Sequence, residues 1–186
     1  MLSLPIPRTF GIFLFLFFVF ADQAEAQKHP VPVIIIDPGH GGSSIAGSLK
    51  ERSNSSPNNA RSPSGYYEKN LTLEFSKILH DRIIAIAEER KQRIGVLMTR
   101  TDDRNLDFGE RARICDRPDT ACIVSIHFNA SNSHDARGSL ALIASEKRNP
   151  NYDIDHRFGL GLAEACANGI KPFLPGASNR GVITDN

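Results

Sequence analysis

Two histidines and one glutamate occupy positions at which side chains can act together on a ligand. His40 and His127 each follow an apolar run, at residues 33–36 and 122–126, and Glu68 precedes a long helical pattern. In a parallel sheet the carboxyl ends of the strands share one edge, where α/β proteins bind their ligands, and a crossover helix starts from the same edge. Two imidazoles and one carboxylate suit catalytic zinc, with the fourth position open to water or substrate. No HExxH motif is present, so the spacing alone does not decide between zinc at His40, Glu68 and His127 and separate surface or supporting roles for the three side chains.

The segment 33–42, VIIIDPGHGG, carries the clearest strand signal in the chain. Its four leading apolar residues show no polar alternation, which is typical of a strand buried on both faces of a parallel sheet. Pro38 ends the hydrogen-bonded ladder, and the glycines around His40 permit tight backbone geometry. We expect Asp37 and Ser125, at the ends of two predicted strands, to brace loops and not to react.

Predicted strands alternate with predicted helices along the chain. Apolar residues at spacings of three and four indicate an amphipathic helix to about Arg90, with Asn70 as its N-cap and Glu68 just before it. The remaining predictions are strands at 95–100, 122–126 and 138–145, and helices at 106–116 and 155–170. The alternation indicates one α/β domain. Residues 43–67 form a long irregular segment, and residues 171–186 show no recognisable closing element.

The composition excludes one class of partner. With 22 basic and 21 acidic residues the net charge is +1, and no long block of like charge occurs. Nucleic-acid-binding proteins concentrate basic residues on one surface, so the sequence predicts no nucleic-acid partner.

Residues 1–26 have the organisation of a secretion signal. Arg8 precedes an uncharged apolar run at 10–20, and Ala24-Glu25-Ala26 provides a small-x-small cleavage pattern before Gln27. A run of about eleven residues is too short to span the hydrocarbon core of a bilayer. We therefore expect a signal peptide and no stable membrane span, with an uncleaved membrane anchor as the alternative. The mature chain is predicted to be exported, to the periplasm or the cell exterior.

Three cysteines, at positions 115, 122 and 166, leave at least one thiol unpaired. Export permits disulfides, so Cys115 and Cys122 could pair across the short turn between them. They could equally be small buried hydrophobic residues. No CxxC motif is present, so metal ligation by cysteine is not expected.

Several motifs occur in the order found in one enzyme family. They are VIIIDPGHGG (33–42), YYEKN (66–70), VLMTRTDD (96–103), VSIHFNA (124–130) and RGSLALIAS (137–145). From about Val33 to its final residues, the chain resembles the zinc-dependent N-acetylmuramoyl-L-alanine amidases of the amidase-3 type. The resemblance implies a mostly parallel sheet with helices on both faces.

The same resemblance implies a site and a reaction. It assigns zinc to His40, Glu68 and His127, the same three candidates that the predicted strand ends and helix start bring to one edge. The implied substrate is peptidoglycan, cleaved by zinc-activated water at the amide between N-acetylmuramic acid and L-alanine of the stem peptide. Asn129, beside His127, is a candidate substrate contact, with loop stabilisation as the alternative. Arg100 and Arg111 are expected to form a structural ion-pair network. The sequence does not identify a regulatory activator.

The chain departs from the family pattern in two places. The family closes with a strand that carries the catalytic glutamate base, followed by a last helix, and no such segment occurs before Asn186. We therefore expect the base beyond residue 186, and a fold without that last strand and helix. The segment 43–67 is also longer than the usual family loop. The alternatives are a zinc- and peptidoglycan-binding domain without catalysis, a fragment without function, and a metal-independent hydrolase with a Cys or Asp nucleophile.

Overall fold

Strand β1 (Val33–Pro38) is the centre of a three-stranded sheet in the computed structural model, which describes residues 30–42, 61–128 and 137–185. The chain divides into two units, residues 1–130 and 131–186. The predicted secretion signal, Asn129 and most of the predicted loop at 43–67 lie outside the described residues. Within the described part, no helix has the length and apolar character required to cross a bilayer.

The sheet of the first unit is parallel throughout. β2 (Gly95–Met98) and β3 (Thr120–Ile126) flank β1 in the order β2-β1-β3. Ile35 and Ile36 are fully buried, as expected for a central strand with an unbroken apolar sequence. The register pairs Asp37 with Ser125, so the polar ends of β1 and β3 lie side by side.

Helix α1 (Glu68–Glu89) contacts β1 and β2. It begins at Glu68, so the prediction that Asn70 caps the helix and that Glu68 precedes it was wrong by three residues. Tyr67 is the N-cap, and its extended backbone pairs with Arg61 in an isolated antiparallel bridge. The Tyr67 carbonyl accepts hydrogen bonds from the amides of Asn70 and Leu71. Because of these bonds, residues 68–70 form the first turn of the helix. Glu68 thereby lies where the helix dipole favours a negative charge.

A second helix in the first unit is short and well capped. Helix α2 (Phe108–Cys115) begins after Asp107, whose carboxylate accepts the Glu110 amide at 2.7 Å. Glu110 Oε2 in return accepts the Asp107 amide at 2.9 Å. This reciprocal capping box satisfies two backbone donors that would otherwise lack helical partners.

The second unit is a strand-helix-strand arrangement. Its elements are β4 (Gly138–Ala144), a 3₁₀ turn (Glu146–Arg148), helix α3 (Tyr152–Ile170) and β5 (Ser178–Asp185). β4 and β5 pair in parallel, and α3 contacts both strands. The prediction of no regular element in residues 171–186 was wrong, because pairing with β4 creates β5. The α/β class with parallel sheet pairing is confirmed.

Candidate metal centre

Three side-chain atoms form a nearly equilateral triangle in the first unit. His40 Nε2 lies 3.2 Å from Glu68 Oε1 and 3.1 Å from His127 Nδ1, and His127 Nδ1 lies 3.4 Å from Glu68 Oε1. These residues form the only group of three or more His, Cys, Asp or Glu side chains with metal-ligand spacing among the described residues. The structure thus brings together all three residues that the sequence assigned to a metal.

The size of the triangle matches a tetrahedral metal. Zinc bonds of about 2.0 Å at tetrahedral angles place neighbouring ligand atoms about 3.3 Å apart. The three observed edges, 3.1 to 3.4 Å, bracket that value. Two imidazole nitrogens and one carboxylate oxygen are also donors that zinc accepts. The residues therefore fit a zinc ion that keeps one position for water or substrate.

Each candidate ligand lies at the end of a regular element. His40 lies in the loop after β1 with a φ of 60°, in the left-handed region that favours glycine. Glu68 opens α1, and its Oε1 accepts the amide of Phe128 at 2.8 Å. His127 directly follows β3, where the Gly39 amide continues the ladder to the Ile126 carbonyl at 3.0 Å.

Burial differs among the three candidate ligands. The side chains of His40 and Glu68 are 6% and 8% exposed, whereas that of His127 is 43% exposed. Partial burial lowers the pKa of His127, the neighbouring His40 lowers it further, and the charges of Glu68 and Asp37 oppose the shift. The lowered pKa favours the neutral imidazole, which is the form that binds a metal.

The loop that carries His40 rests on a buried ion pair. Arg111 donates to the carboxylate of Asp37, and Thr99 and Ser125 donate to it as well, Ser125 at 2.8 Å. Burial by itself raises the pKa of Asp37, but the hydrogen bonds from Thr99 and Ser125 and the charge of Arg111 bring the net pKa below its ordinary value. Asp37 and Ser125 thus brace the loop, as expected.

Several supporting residues were not singled out from the sequence. Thr72, fully buried on α1, donates to the Gly39 carbonyl at 2.8 Å. Lys69 bonds the Gly42 carbonyl and pairs with Asp103 at 2.6 Å. The lysine of YYEKN and the second aspartate of VLMTRTDD were visible as motif residues, but nothing in their spacing predicts that they meet.

A cavity of about 360 Å³ opens beside the histidines. His40, His127, Asp37 and Ser125 are among its polar lining residues. Phe108, Ala112, Cys115 and Ile123 are among its other lining residues. The cavity therefore places polar and apolar side chains next to two of the three candidate metal ligands.

Comparison with known proteins adds family evidence to this geometry. Residues 34–180 match the family model of N-acetylmuramoyl-L-alanine amidase. The chain is 33% identical over 115 residues to the probable N-acetylmuramoyl-L-alanine amidase AmiB of Haemophilus influenzae, a match that covers 62% of this chain. It spans 23% of the length of that relative.

Solved amidase structures share the fold. An N-acetylmuramoyl-L-alanine amidase from Clostridium difficile 630 superposes with a TM-score of 0.57 at 22% identity, covering 85% of this chain and 72% of that one. The amidase AmiC2 of Nostoc punctiforme gives a TM-score of 0.52 at 25% identity, covering 83% and 69%. Because the family model spans most of the sequence, the chain belongs to the N-acetylmuramoyl-L-alanine amidase family.

Proposed function

We propose that this protein is a zinc-dependent peptidoglycan amidase. Its substrate would be the amide bond between N-acetylmuramic acid and L-alanine of the stem peptide. The observation that carries the proposal is the triangle of His40, Glu68 and His127, with edges of 3.1 to 3.4 Å, in a chain of the amidase family. The adjacent cavity, which His40 and His127 line, supports the proposal because a peptide substrate needs access to the site.

The residues present define what the site contributes to hydrolysis. When bound, zinc would lower the pKa of water and polarise the amide carbonyl. His40 and His127 would bind as neutral ligands, and Glu68 would bring one negative charge. The ligand set would therefore leave a net charge of about +1 on a divalent ion, which favours developing negative charge on the carbonyl oxygen.

Amide hydrolysis also requires an acid-base group that moves a proton from water to the leaving nitrogen. Glu68 belongs to the proposed ligand set and accepts the Phe128 amide. Asp37 is bound by Arg111, Thr99 and Ser125. We assign the proton transfer to neither of these two carboxylates.

This engagement of Asp37 favours a second candidate function. Without an acid-base group, the same residues would form a zinc- and peptidoglycan-binding domain that does not cleave. Both functions require contact with the cell wall. We propose that residues 1–26 direct export, and that the protein acts in the periplasm or outside the cell, where peptidoglycan lies.

The test is cleavage of purified peptidoglycan, with mass spectrometry of released peptides. Amidase activity predicts stem peptides with a free L-alanine amino group, no release after chelation, and recovery when zinc is added. Glu68→Gln keeps the size of the side chain but removes its charge, and it is expected to abolish release. Release that persists after exhaustive chelation, or cleavage at another bond, would contradict the proposal. Zinc-dependent sedimentation with peptidoglycan without release would support the binding domain.

A further inference from the structure

The loop that carries His40 presents its backbone carbonyls to cationic side chains. The Pro38 carbonyl accepts Arg100 Nε and Arg111 Nη1, both at 3.0 Å. Arg100 Nη2 reaches the Gly39 carbonyl at 2.8 Å, and Arg111 Nη2 reaches the His40 carbonyl at 2.9 Å. Three consecutive carbonyls of the loop are therefore fixed by two guanidinium groups. We refer to Arg100 and Arg111 with these three carbonyls as the arginine clamp.

Arg100 joins the two segments that carry His40 and Glu68. Its Nη2 atom lies 2.8 Å from the carbonyl of Gly39 and 2.8 Å from that of Lys69, the immediate neighbours of the two ligands in the chain. The Thr72 hydroxyl lies 3.1 Å from the same nitrogen and donates to the Gly39 carbonyl. One buried nitrogen thus fixes the spacing between the His40 loop and the first turn of α1.

The hydrogen bonding of Arg100 is unusual for a buried cation. Its side chain is among the fully buried ones, yet every hydrogen bond that it donates within the described residues ends on a carbonyl or hydroxyl oxygen. Burying a charge without direct pairing to a carboxylate opposes folding. We therefore infer that Arg100 serves to fix the geometry of the loop, because a planar guanidinium directs several donors at fixed angles.

Arg111 supports His40 through hydrogen bonds of its own. Nη1 donates to the carboxylate of Asp37, and Nη2 donates to the carbonyl of His40. Because His40 has a φ of 60°, its backbone is in a region that a non-glycine residue rarely adopts. The hydrogen bond to the His40 carbonyl holds that conformation, and with it the direction of the imidazole.

We propose that Arg100 and Arg111 are positioning residues, which set the spacing and orientation of His40 relative to Glu68 for metal binding. The inference rests on the proposed zinc site. It goes beyond the expectation of a structural ion-pair network, because the clamp acts on backbone carbonyls beside the ligands. Substitutions that remove hydrogen bonds of the arginine clamp should therefore lower zinc affinity by more than the accompanying loss of folded protein explains.

The first test replaces Arg111 by lysine. Lysine keeps the charge but cannot direct separate nitrogens to Asp37, Pro38 and His40. Arg111→Lys is expected to lower zinc affinity by about 10- to 100-fold in competition with a chelator. The visible absorption of the cobalt-substituted protein should change as well, because that spectrum reports ligand geometry.

The matched control is Arg117→Lys, since Arg117 pairs with Asp119 at 2.9 and 2.8 Å on the surface. The control should bind zinc within about twofold of the wild type.

The second test reaches Arg100 through Thr72, because replacing a fully buried arginine endangers folding. Thr72→Val removes the hydroxyl that accepts from Arg100 and donates to the Gly39 carbonyl, whereas Thr72→Ser keeps it. We expect the valine variant to lose at least about tenfold in zinc affinity and the serine variant to retain most of it. This pair decides the question if Arg111→Lys fails to fold.

The outcomes separate this inference from the proposed function. Zinc affinity in Arg111→Lys and Thr72→Val within twofold of the wild type would overturn the arginine clamp alone. The arginine clamp would also be overturned if the zinc affinity of these variants falls only in proportion to their fraction of unfolded protein. Thermal unfolding of the metal-free variants measures that fraction. A folded wild type that binds no zinc would overturn the proposed function and the clamp together.

Discussion

The α-carbon of Gly39 lies directly against the imidazole ring of His127. A Cβ atom built at position 39 would lie 2.4 Å from Cε1 and 2.6 Å from Nε2 of that ring. Such distances are well inside van der Waals contact, so only glycine leaves His127 its place in the ligand triangle. The glycine before His40 therefore also determines where the other histidine lies.

This contact predicts the effect of a single methyl group. Gly39→Ala should displace His127 and lower zinc affinity by about tenfold or more, as measured by chelator competition. The control is Gly161→Ala in the interior of α3, where an added Cβ meets nothing within 4 Å. We expect the control to leave zinc affinity unchanged and to stabilise the protein by about 0.5–1 kcal/mol. Wild-type zinc affinity in Gly39→Ala would show that the ring moves aside without cost.

The ion pair beneath the loop predicts a pH-dependent loss of stability. Because the pKa of Asp37 is below its ordinary value, the folded state favours its ionised form. This stabilisation is present above the unfolded pKa of about 3.9 and is lost as the pH falls through the lower folded pKa. Asp37→Asn should lower the free energy of unfolding by about 3 kcal/mol at pH 7, since it leaves the charge of Arg111 without a carboxylate partner.

Urea unfolding at pH 7 and at pH 3 measures this difference. The difference in the free energy of unfolding between the wild type and Asp37→Asn should be smaller at pH 3 than at pH 7. Asp119→Asn removes an equal charge from an exposed pair with Arg117 and should change stability little. A difference between the wild type and Asp37→Asn that is larger at pH 3 than at pH 7 would contradict the assigned role of Asp37.

The cysteines predict an order of chemical labelling. All three are free thiols in the structure, with Cys115 and Cys122 half-buried and Cys166 exposed. Burial raises the pKa of the Cys115 and Cys122 thiols; at Cys115 the charge of Asp37 adds to the shift and that of Arg111 opposes it. A raised pKa reduces the reactive thiolate. Of the two sequence interpretations, the structure favours small buried hydrophobic residues over a disulfide.

Iodoacetamide should accordingly modify Cys166 first in the native protein. We expect the other two cysteines to react at least about tenfold more slowly, as followed by peptide mass spectrometry. All three should react alike in denaturant, which serves as the control. A Cys115–Cys122 disulfide peptide under non-reducing conditions would contradict this account.

Local patterns were sufficient to predict the centre of the fold and its candidate site. The unbroken apolar run of β1 predicts a buried parallel strand, and parallel strands place their following residues at one edge. His40 and His127 meet for this reason, and Glu68 joins them because α1 starts from the same edge. These inferences needed only residue type and order.

What the sequence did not predict depends on partners distant in the chain. In β5 the apolar residues Val182 and Ile183 are adjacent and follow Gly181, which has a φ of 77°, so no alternation indicates a strand. The arginine clamp is similarly hidden, because the donors of Arg100 end on carbonyls from separate segments. Every residue carries the same backbone carbonyl, so no sequence pattern shows which carbonyl a side chain will bind.

The most direct test of the central claim is the zinc content of the purified, folded protein. Elemental analysis after removal of free metal should find one zinc per chain in the wild type and none in His127→Ala. His80→Ala, which removes a histidine that pairs with Asp81 on α1, should retain one zinc. Cooperative thermal unfolding of each variant verifies that it is folded. One zinc per chain in folded His127→Ala, or none in the folded wild type, would contradict the assignment of His40, Glu68 and His127 as the metal site.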